Sequence, residues 1–245
     1  MKILLVLIFI GGMHFAGFSQ TVYPKIAVSN DIELIRLSEN AWIHVSVSEI
    51  PGYGNVSSNG LIYSNADDAF LFDTPMTDAL TGDLLHWLTD SLRIKVVGFV
   101  PNHWHGDCMG GLALLQKRNI ESYSGQKTIT IARSKNLPVP AHGFKDSLNL
   151  KLGDKAIQCY YPGAAHTLDN IVVWIPDEKI LFAGCMVKEL SSKNLGNTQD
   201  GDLKAYPKTI DILLNKFKEA KIVIPGHGQF GGRDLIMHTK ELINN

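Results

Sequence analysis

The sequence predicts an α/β fold in which two sheets pack face to face with helices outside. Strand-length apolar runs and helix-period stretches alternate in the order β, α, β, α, twice over. No linker or low-complexity segment separates the halves, so each is expected to form one sheet, mostly of antiparallel hairpins, and the two sheets to share a core. A third observation concerns chemistry: the residues most able to bind a metal each follow directly on an apolar strand, where a rigid scaffold holds loop residues still.

The elements read in order as follows. Over 26–73, IELIRLSENAWIHVSV alternates apolar and polar residues, the glycine-rich tip EIPGYGNVSSNG turns the chain, and LIYS and AFLFDT resume it, the pattern of an antiparallel meander. Over 76–92, Ala79, Leu80, Leu84, Leu85, Leu88 and Leu92 recur at helical spacing, and Thr77 or Asp78 is placed to cap the start. IKVVGFV then reads as a buried strand. Helical stretches follow at 111–117 and 126–134, before Pro138 and Pro140, which stop any helix. The strands LNLKL, KAIQCYY, NIVVWIP and KILFAGCMV come next, the last two joined by the turn PDEK. A helix over 206–220, the strand KIVIPG and a helix over 234–243 complete the pattern.

Composition narrows the function classes. The 245 residues are 45% hydrophobic and 19% charged, enough apolar chain for a full core, which excludes disorder, coiled coil and collagen. Lys+Arg 23 against Asp+Glu 24 gives a net charge of -1 at pH 7, so no long-range field draws the protein to nucleic acid or an anionic membrane. Monomer is the default, since no oligomer signal stands out.

The first residues, MKILLVLIFIGGMHFAGFSQ, combine Lys2, an apolar run and small residues Gly17 and Ser19 before Gln20, the arrangement of a bacterial secretory signal. Gly11, Gly12 and His14 interrupt the run well short of the ~20 apolar residues of a spanning helix, and no cysteine follows it to carry a lipid. The expectation is a signal peptide over 1–19 and a single domain over 20–245, delivered to the periplasm with no membrane anchor. In that oxidising compartment Cys108, Cys159 and Cys185 are an odd number, so at least one needs a role other than a disulfide.

The strand ends supply that role. After IKVVGFV comes PNHWHGDC, after QCYY comes PGAAH, after KILFAG comes Cys185, and after KIVIPG comes His227. In NHWHGD, His103, His105 and Asp107 are spaced two apart, so an extended or tightly turned backbone aims all three to one side, with Gly106 permitting the bend. Three imidazoles, His103, His105 and His166, form a His₃ set that leaves a position open for water, the catalytic pattern of zinc coordination. Asp107, Cys185 and His227 form a second set of O, S and N ligands, and zinc would deprotonate the Cys185 thiol outright. Cys159 reads as a small core residue within a strand. Cys108 ranks below Cys185 as a ligand, because the neighbour of an inward-pointing Asp107 should not itself point inward. Asp73, in LFDTP, reads either as an acceptor steadying a ligand or as a turn cap.

NHWHGD with the later GAAHT, GCMVK and PGHG resembles the metallo-β-lactamase superfamily, and within it the class B β-lactamases of the di-zinc, cysteine-containing subclass. NHWHGDCMGGL, PVPAHGF, QCYYPG, DNIVVW, ILFAGCMVK and PGHGQFGG look most like the CcrA-type enzymes, and the likeness covers nearly the whole of 20–245. Many other superfamily hydrolases carry His where this chain has Cys108, and a metal-bridging Asp where it has Cys185. The resemblance implies an αββα sandwich with two zinc ions (Zn2+) per chain at one edge. It implies His103, His105 and His166 as ligands of the first zinc, and Asp107, Cys185 and His227 of the second. It further implies Asp107, Lys188 and Asn197 as catalytic residues: Lys188 pairs with a substrate carboxylate and Asn197 assists the oxyanion. Tyr53, in the glycine-rich tip, offers an aromatic face over bound substrate where relatives often carry Trp. The implied activity is hydrolysis of the β-lactam amide bond of penicillins, cephalosporins and carbapenems by zinc-activated water, conferring antibiotic resistance. Another exported metallo-hydrolase, a thioesterase or lactonase, is the alternative within the superfamily. A non-enzymatic zinc protein would instead close each ligand set with four protein groups.

Overall fold

The computed structural model describes residues 22–244, so the expected signal over 1–19 lies outside the described residues. Strands β1 (Lys25–Ala27), β2 (Ile32–Arg36), β3 (Ala41–Ile50), β4 (Gly54–Asn65) and β5 (Asp68–Phe72) form the antiparallel meander that their alternation predicts. The same sheet continues through β6 (Lys95–Val100), β7 (Glu121–Gly125) and β8 (His142–Phe144), each parallel to its predecessor. The second sheet holds β9 (Ser147–Leu152), β10 (Lys155–Tyr160), β11 (Val172–Ile175) and β12 (Ile180–Gly184) antiparallel, with β13 (Ile222–Pro225) parallel to β12.

The expectation of mostly antiparallel hairpins therefore needs correction at both sheet edges, and the helices give the reason. A parallel neighbour requires a crossover. Helix α1 (Asp78–Leu92) crosses from β5 to β6, α2 (Gly106–Met109) and α3 (Leu112–Lys117) from β6 to β7, α4 (Gln126–Ser134) from β7 to β8, and α5 (Tyr206–Lys216) from β12 to β13, before α6 (Asp234–Asn244). Thr77 caps α1 by accepting the Leu80 N–H, and Arg93 ends it in the left-handed region. Helix α5 stops at Lys216, short of the expected 220, and Phe217 and Ala220 turn into the core instead.

Three apolar layers hold the stack, and single strands feed two of them at once. In β4, Leu61 and Tyr63 face the core between the sheets while Ile62 faces the layer under α1 and α3. In β5, Phe70 and Phe72 point inward and Ala69 and Leu71 outward. In β12, Ile180 and Phe182 meet the first sheet while Leu181 and Ala183 meet α5 and α6. Period-two side chains covered on both faces make these strands read as unbroken apolar runs. The order helix, sheet, sheet, helix follows, and each fully buried Leu, Ile or Phe contributes roughly 1.5–3 kcal/mol.

Candidate metal centre

Parallel pairing sends neighbouring strands out of the sheet at the same edge. β5 is followed by Asp73 beside the end of β6, which delivers Asn102 and His103; β12 is followed by Cys185 beside the end of β13, which delivers His227. Between β10 and β11 the chain carries His166. Gly184, at φ +59, lies where any Cβ would strike the Asn102 side chain, and Gly226 where one would strike Cys185. Glycine thus lets the two sheets meet closely at Gly184 and Asn102, and lets the ends of β12 and β13 meet within the second sheet at Gly226 and Cys185.

The expected imidazole trio is assembled. Ring centroids lie 4.6 Å apart for His103 and His105, 4.9 Å for His103 and His166, and 5.3 Å for His105 and His166. His103 Nε2 and His105 Nδ1 face each other at 2.9 Å, and His105 Nε2 bonds Asp200 Oδ2 at 3.0 Å, leaving Nδ1 to the centre. Buried His166 Nδ1 has no hydrogen-bond partner. Burial pushes the His103 pKa down to about 3 and lowers that of His166, so both are neutral, the form that donates a lone pair.

The mixed set is equally compact. Cys185 Sγ lies 3.6 Å from Asp107 Oδ2 and 3.4 Å from His227 Nε2, and His227 Nε2 lies 3.1 Å from Asp107 Oδ2. His227 Nδ1 donates to the Ser57 carbonyl at 2.7 Å, which turns Nε2 toward the cluster. The Cys108 thiol and the neighbouring His227 hold Cys185 well below the ordinary thiol range, and the Cys185 charge lifts His227 to about 11. Donor atoms of Asp107, Cys185 and His227 all lie within 4.8 Å of one another, as do those of His103, His166 and Cys185. Cys185 therefore stands between the two sets.

Cys108 corrects an expectation. It is buried with Sγ 3.1 Å from His103 Nδ1, and with His103 and Asp107 it forms a third close grouping. The expected alternation fails because α2 begins at Gly106: in a helical turn, adjacent residues are about 100° apart, so Asp107 and Cys108 share the inner side. Cys159 is buried in β10 as expected. Asp73 proves to be an acceptor, its Oδ1 taking the Asn102 N–H. Sequence reasoning misses Asp200 and Asp169; the latter accepts the Trp104 N–H at 3.1 Å and so ties the loop of His166 to that of His103 and His105. Neither has a spacing signal, since each partner is remote in sequence.

The neutral imidazoles of His103 and His166, a depressed thiol, a carboxylate side chain and an orphaned buried ring nitrogen make a donor set suited to zinc, whose usual ligands are N, S and O. Its open side faces a cleft of about 600 Å³ lined by Tyr53, Met76, Trp104, His105, Asp107, His166, Asn197 and His227 among others. Tyr53, at the β3–β4 turn, is 75% exposed at the rim. Lys188 lines a separate, adjoining cavity of about 210 Å³ that shares Gly196 and His227 with the cleft. Burial lowers its ammonium pKa. Asn197 Oδ1 accepts the Gln199 N–H at 3.1 Å.

Residues 52–227 match the metallo-beta-lactamase superfamily. The chain is similar to a metallo-beta-lactamase type 2 of Bacteroides fragilis, 51% identical over 220 residues, or 90% of this chain and 88% of that protein. A metallo-beta-lactamase type 2 of Bacillus cereus is 34% identical over 227 residues, 91% of this chain and 88% of that one. A solved metallo-beta-lactamase from Pontibacter korlensis superposes with TM-score 0.84 at 38% identity, covering 87% of this chain and 99% of its own. The layered sheets, the donor cluster at one edge and these likenesses agree: the chain belongs to the metallo-beta-lactamase superfamily.

Proposed function

We propose that this chain hydrolyses the amide bond of β-lactams using two zinc ions, one held by His103, His105 and His166 and one by Asp107, Cys185 and His227. The observation that carries this reading is the pair of donor sets joined through Cys185 and open on one side to the 600 Å³ cleft. The relatives' names, metallo-beta-lactamases over nearly their whole length, support the substrate class. Zinc, when bound, supplies Lewis-acid polarisation and lowers the pKa of bound water to about 7.

The chain's own groups do the rest. Neutral His103 and His166 present lone pairs without first losing a proton. Lys188, near the cleft through the shared Gly196 and His227 wall, pairs with the substrate carboxylate. Because Asn197 Oδ1 is engaged by Gln199, its NH₂ group is the part left to donate to a developing oxyanion. Ile50, Tyr53 and Val56 give the rim an apolar cover that sheds water over bound substrate. Asp107 keeps a carboxylate oxygen 3.1 Å from His227 and lines the same cleft, which supports its role as a ligand beside the bound substrate.

The mature protein in this reading is a monomeric periplasmic domain over 20–245. Among the described residues no helix is long and apolar enough to cross a membrane.

The test is an assay of the purified 20–245 chain with a penicillin, a cephalosporin, a carbapenem and a thioester, with and without EDTA. β-Lactam turnover that EDTA abolishes and zinc restores is the expected result. Turnover that survives EDTA, or thioester turnover exceeding all three β-lactams, overturns the proposal.

A further inference from the structure

The loop that carries His227 is held by three hydrogen bonds from one residue, Asn59. Its base is a two-way bridge: Val223 N–H to Gly231 C=O at 2.8 Å and Gly231 N–H to Val223 C=O at 3.1 Å. Its tip is gripped by Asn59 in β4. The Asn59 Nδ2 group donates to Pro225 C=O at 2.9 Å and to Gly228 C=O at 2.8 Å, one carbonyl on each side of His227. The Asn59 backbone N–H donates to Gly226 C=O at 2.8 Å. Two residues earlier on the same face of β4, the Ser57 carbonyl takes the His227 Nδ1 proton.

Packing alone would not hold this loop. Behind it lies a cavity of about 190 Å³ lined by Ser57, Asn59, Gly228, Gln229 and Phe230 among others, so the rear of the loop lacks a close-packed backing. On the opposite side Glu189 accepts the Gln229 N–H at 2.9 Å. Asn59 is buried, with both amide hydrogens spent on carbonyls that no other described side chain satisfies.

We propose that Asn59 is a positioning residue for the second metal set: by pinning Pro225 and Gly228 it keeps His227 over the Ser57 carbonyl, with Nε2 turned to Asp107 and Cys185. The inference rests on the ligand assignment above and adds a residue that touches neither metal nor substrate. It predicts a site-selective effect, because the grip reaches His227 and none of His103, His105 or His166.

The experiment reads metal affinity rather than turnover. Zinc binding to the 20–245 chain is titrated against a chromophoric chelator, and cobalt(II) substitution follows the thiolate-to-cobalt band of Cys185. In Asn59→Ala the affinity of the site reported by the Cys185 band should fall about 10–100-fold, the range for removing a group that orients a metal ligand, with the other unchanged within about twofold. Asn59→Ser, which keeps one hydroxyl donor, should fall between. Equal losses at both sites, or a lower melting temperature with both affinities intact, would reduce Asn59 to a structural residue and overturn the proposal. A wild-type chain that binds no zinc would instead sink the ligand assignment, so the two failures are distinguishable. Since Asn59→Ala can also impair folding, Asn59→Ser is read in the same way on a chain whose cooperative melt is checked first.

Discussion

Asp73 at the end of β5 accepts the backbone N–H of Asn102 at the end of β6, and this bond fixes the residue immediately before His103. Asn102 passes the constraint on, its amide donating to Ile171 C=O and its Oδ1 lying 3.2 Å from His103 Nδ1. With Nδ1 so engaged, His103 turns Nε2 toward the cluster. Burial holds the Asp73 carboxyl well above the usual carboxylate range. Asp73→Ala orphans a buried N–H and should cost about 1–3 kcal/mol in urea denaturation. Asp73→Asn keeps an oxygen acceptor in a site that already favours the neutral form, and should cost less. Equal losses from both would contradict the acceptor role.

Cys185 touches both donor sets, yet its close partners Asp107 and His227 belong to one of them. Cys185→Ser should therefore reduce bound zinc from two ions per chain to one at equal free metal, measured by elemental analysis after equilibration in metal buffer. A variant that still holds two ions tightly would remove Cys185 from the ligand set.

Legibility followed burial. Leu61 to Tyr63 of β4 and Ile180 to Ala183 of β12 are apolar on both faces, so their strands are plain in the sequence. β7 and β8 are not, because ESYSG and HGF reach the core through Ser122, Ser124 and Phe144 rather than through an apolar run. All six proposed ligands are visible in the sequence, because each follows a recognisable strand or sits at HxHxD spacing. The inward side of Cys108 is not legible, because a helical turn of four residues leaves no periodicity to read. Asp200 and Asn59 were hidden for a different reason: their partners His105 and Gly228 lie 95 and 169 residues away, and only the folded chain brings them together.

Lys188 stands in its own cavity beside the cleft, and its backbone N–H is anchored to Thr239 Oγ1 at 2.8 Å. The anchor sets the start of the side chain while the ammonium remains for a ligand. A charge-assisted bond to a substrate carboxylate contributes roughly 1.5–3 kcal/mol. Lys188→Ala should accordingly raise KM by about 10–150-fold with a smaller change in kcat. Steady-state kinetics across several carboxylate-bearing β-lactams check this, and an unchanged KM throughout would remove Lys188 from substrate binding.

His44 gives the fold a pH dependence separate from the metal ligands. It is buried in β3, its Nε2–H donates to the Asp73 carbonyl at 3.0 Å, and its Nδ1 has no partner. Burial lowers its pKa from 6.5 to about 4. In the unfolded chain the ring takes its proton near 6.5, whereas in the folded chain it resists protonation until pH 4. Between those values the unfolded state binds more protons, so stability falls as pH falls, by about 3 kcal/mol once pH is below both. Above pH 6.5 the ring is neutral in both states and costs nothing. His44→Gln keeps an N–H donor for the Asp73 carbonyl but has no proton to gain. With zinc present in both samples, so that His103 and His166 are held alike, urea midpoints from pH 7 to pH 4 should decline less steeply for the variant. Parallel declines would place the acid sensitivity elsewhere, in the carboxylates common to both chains.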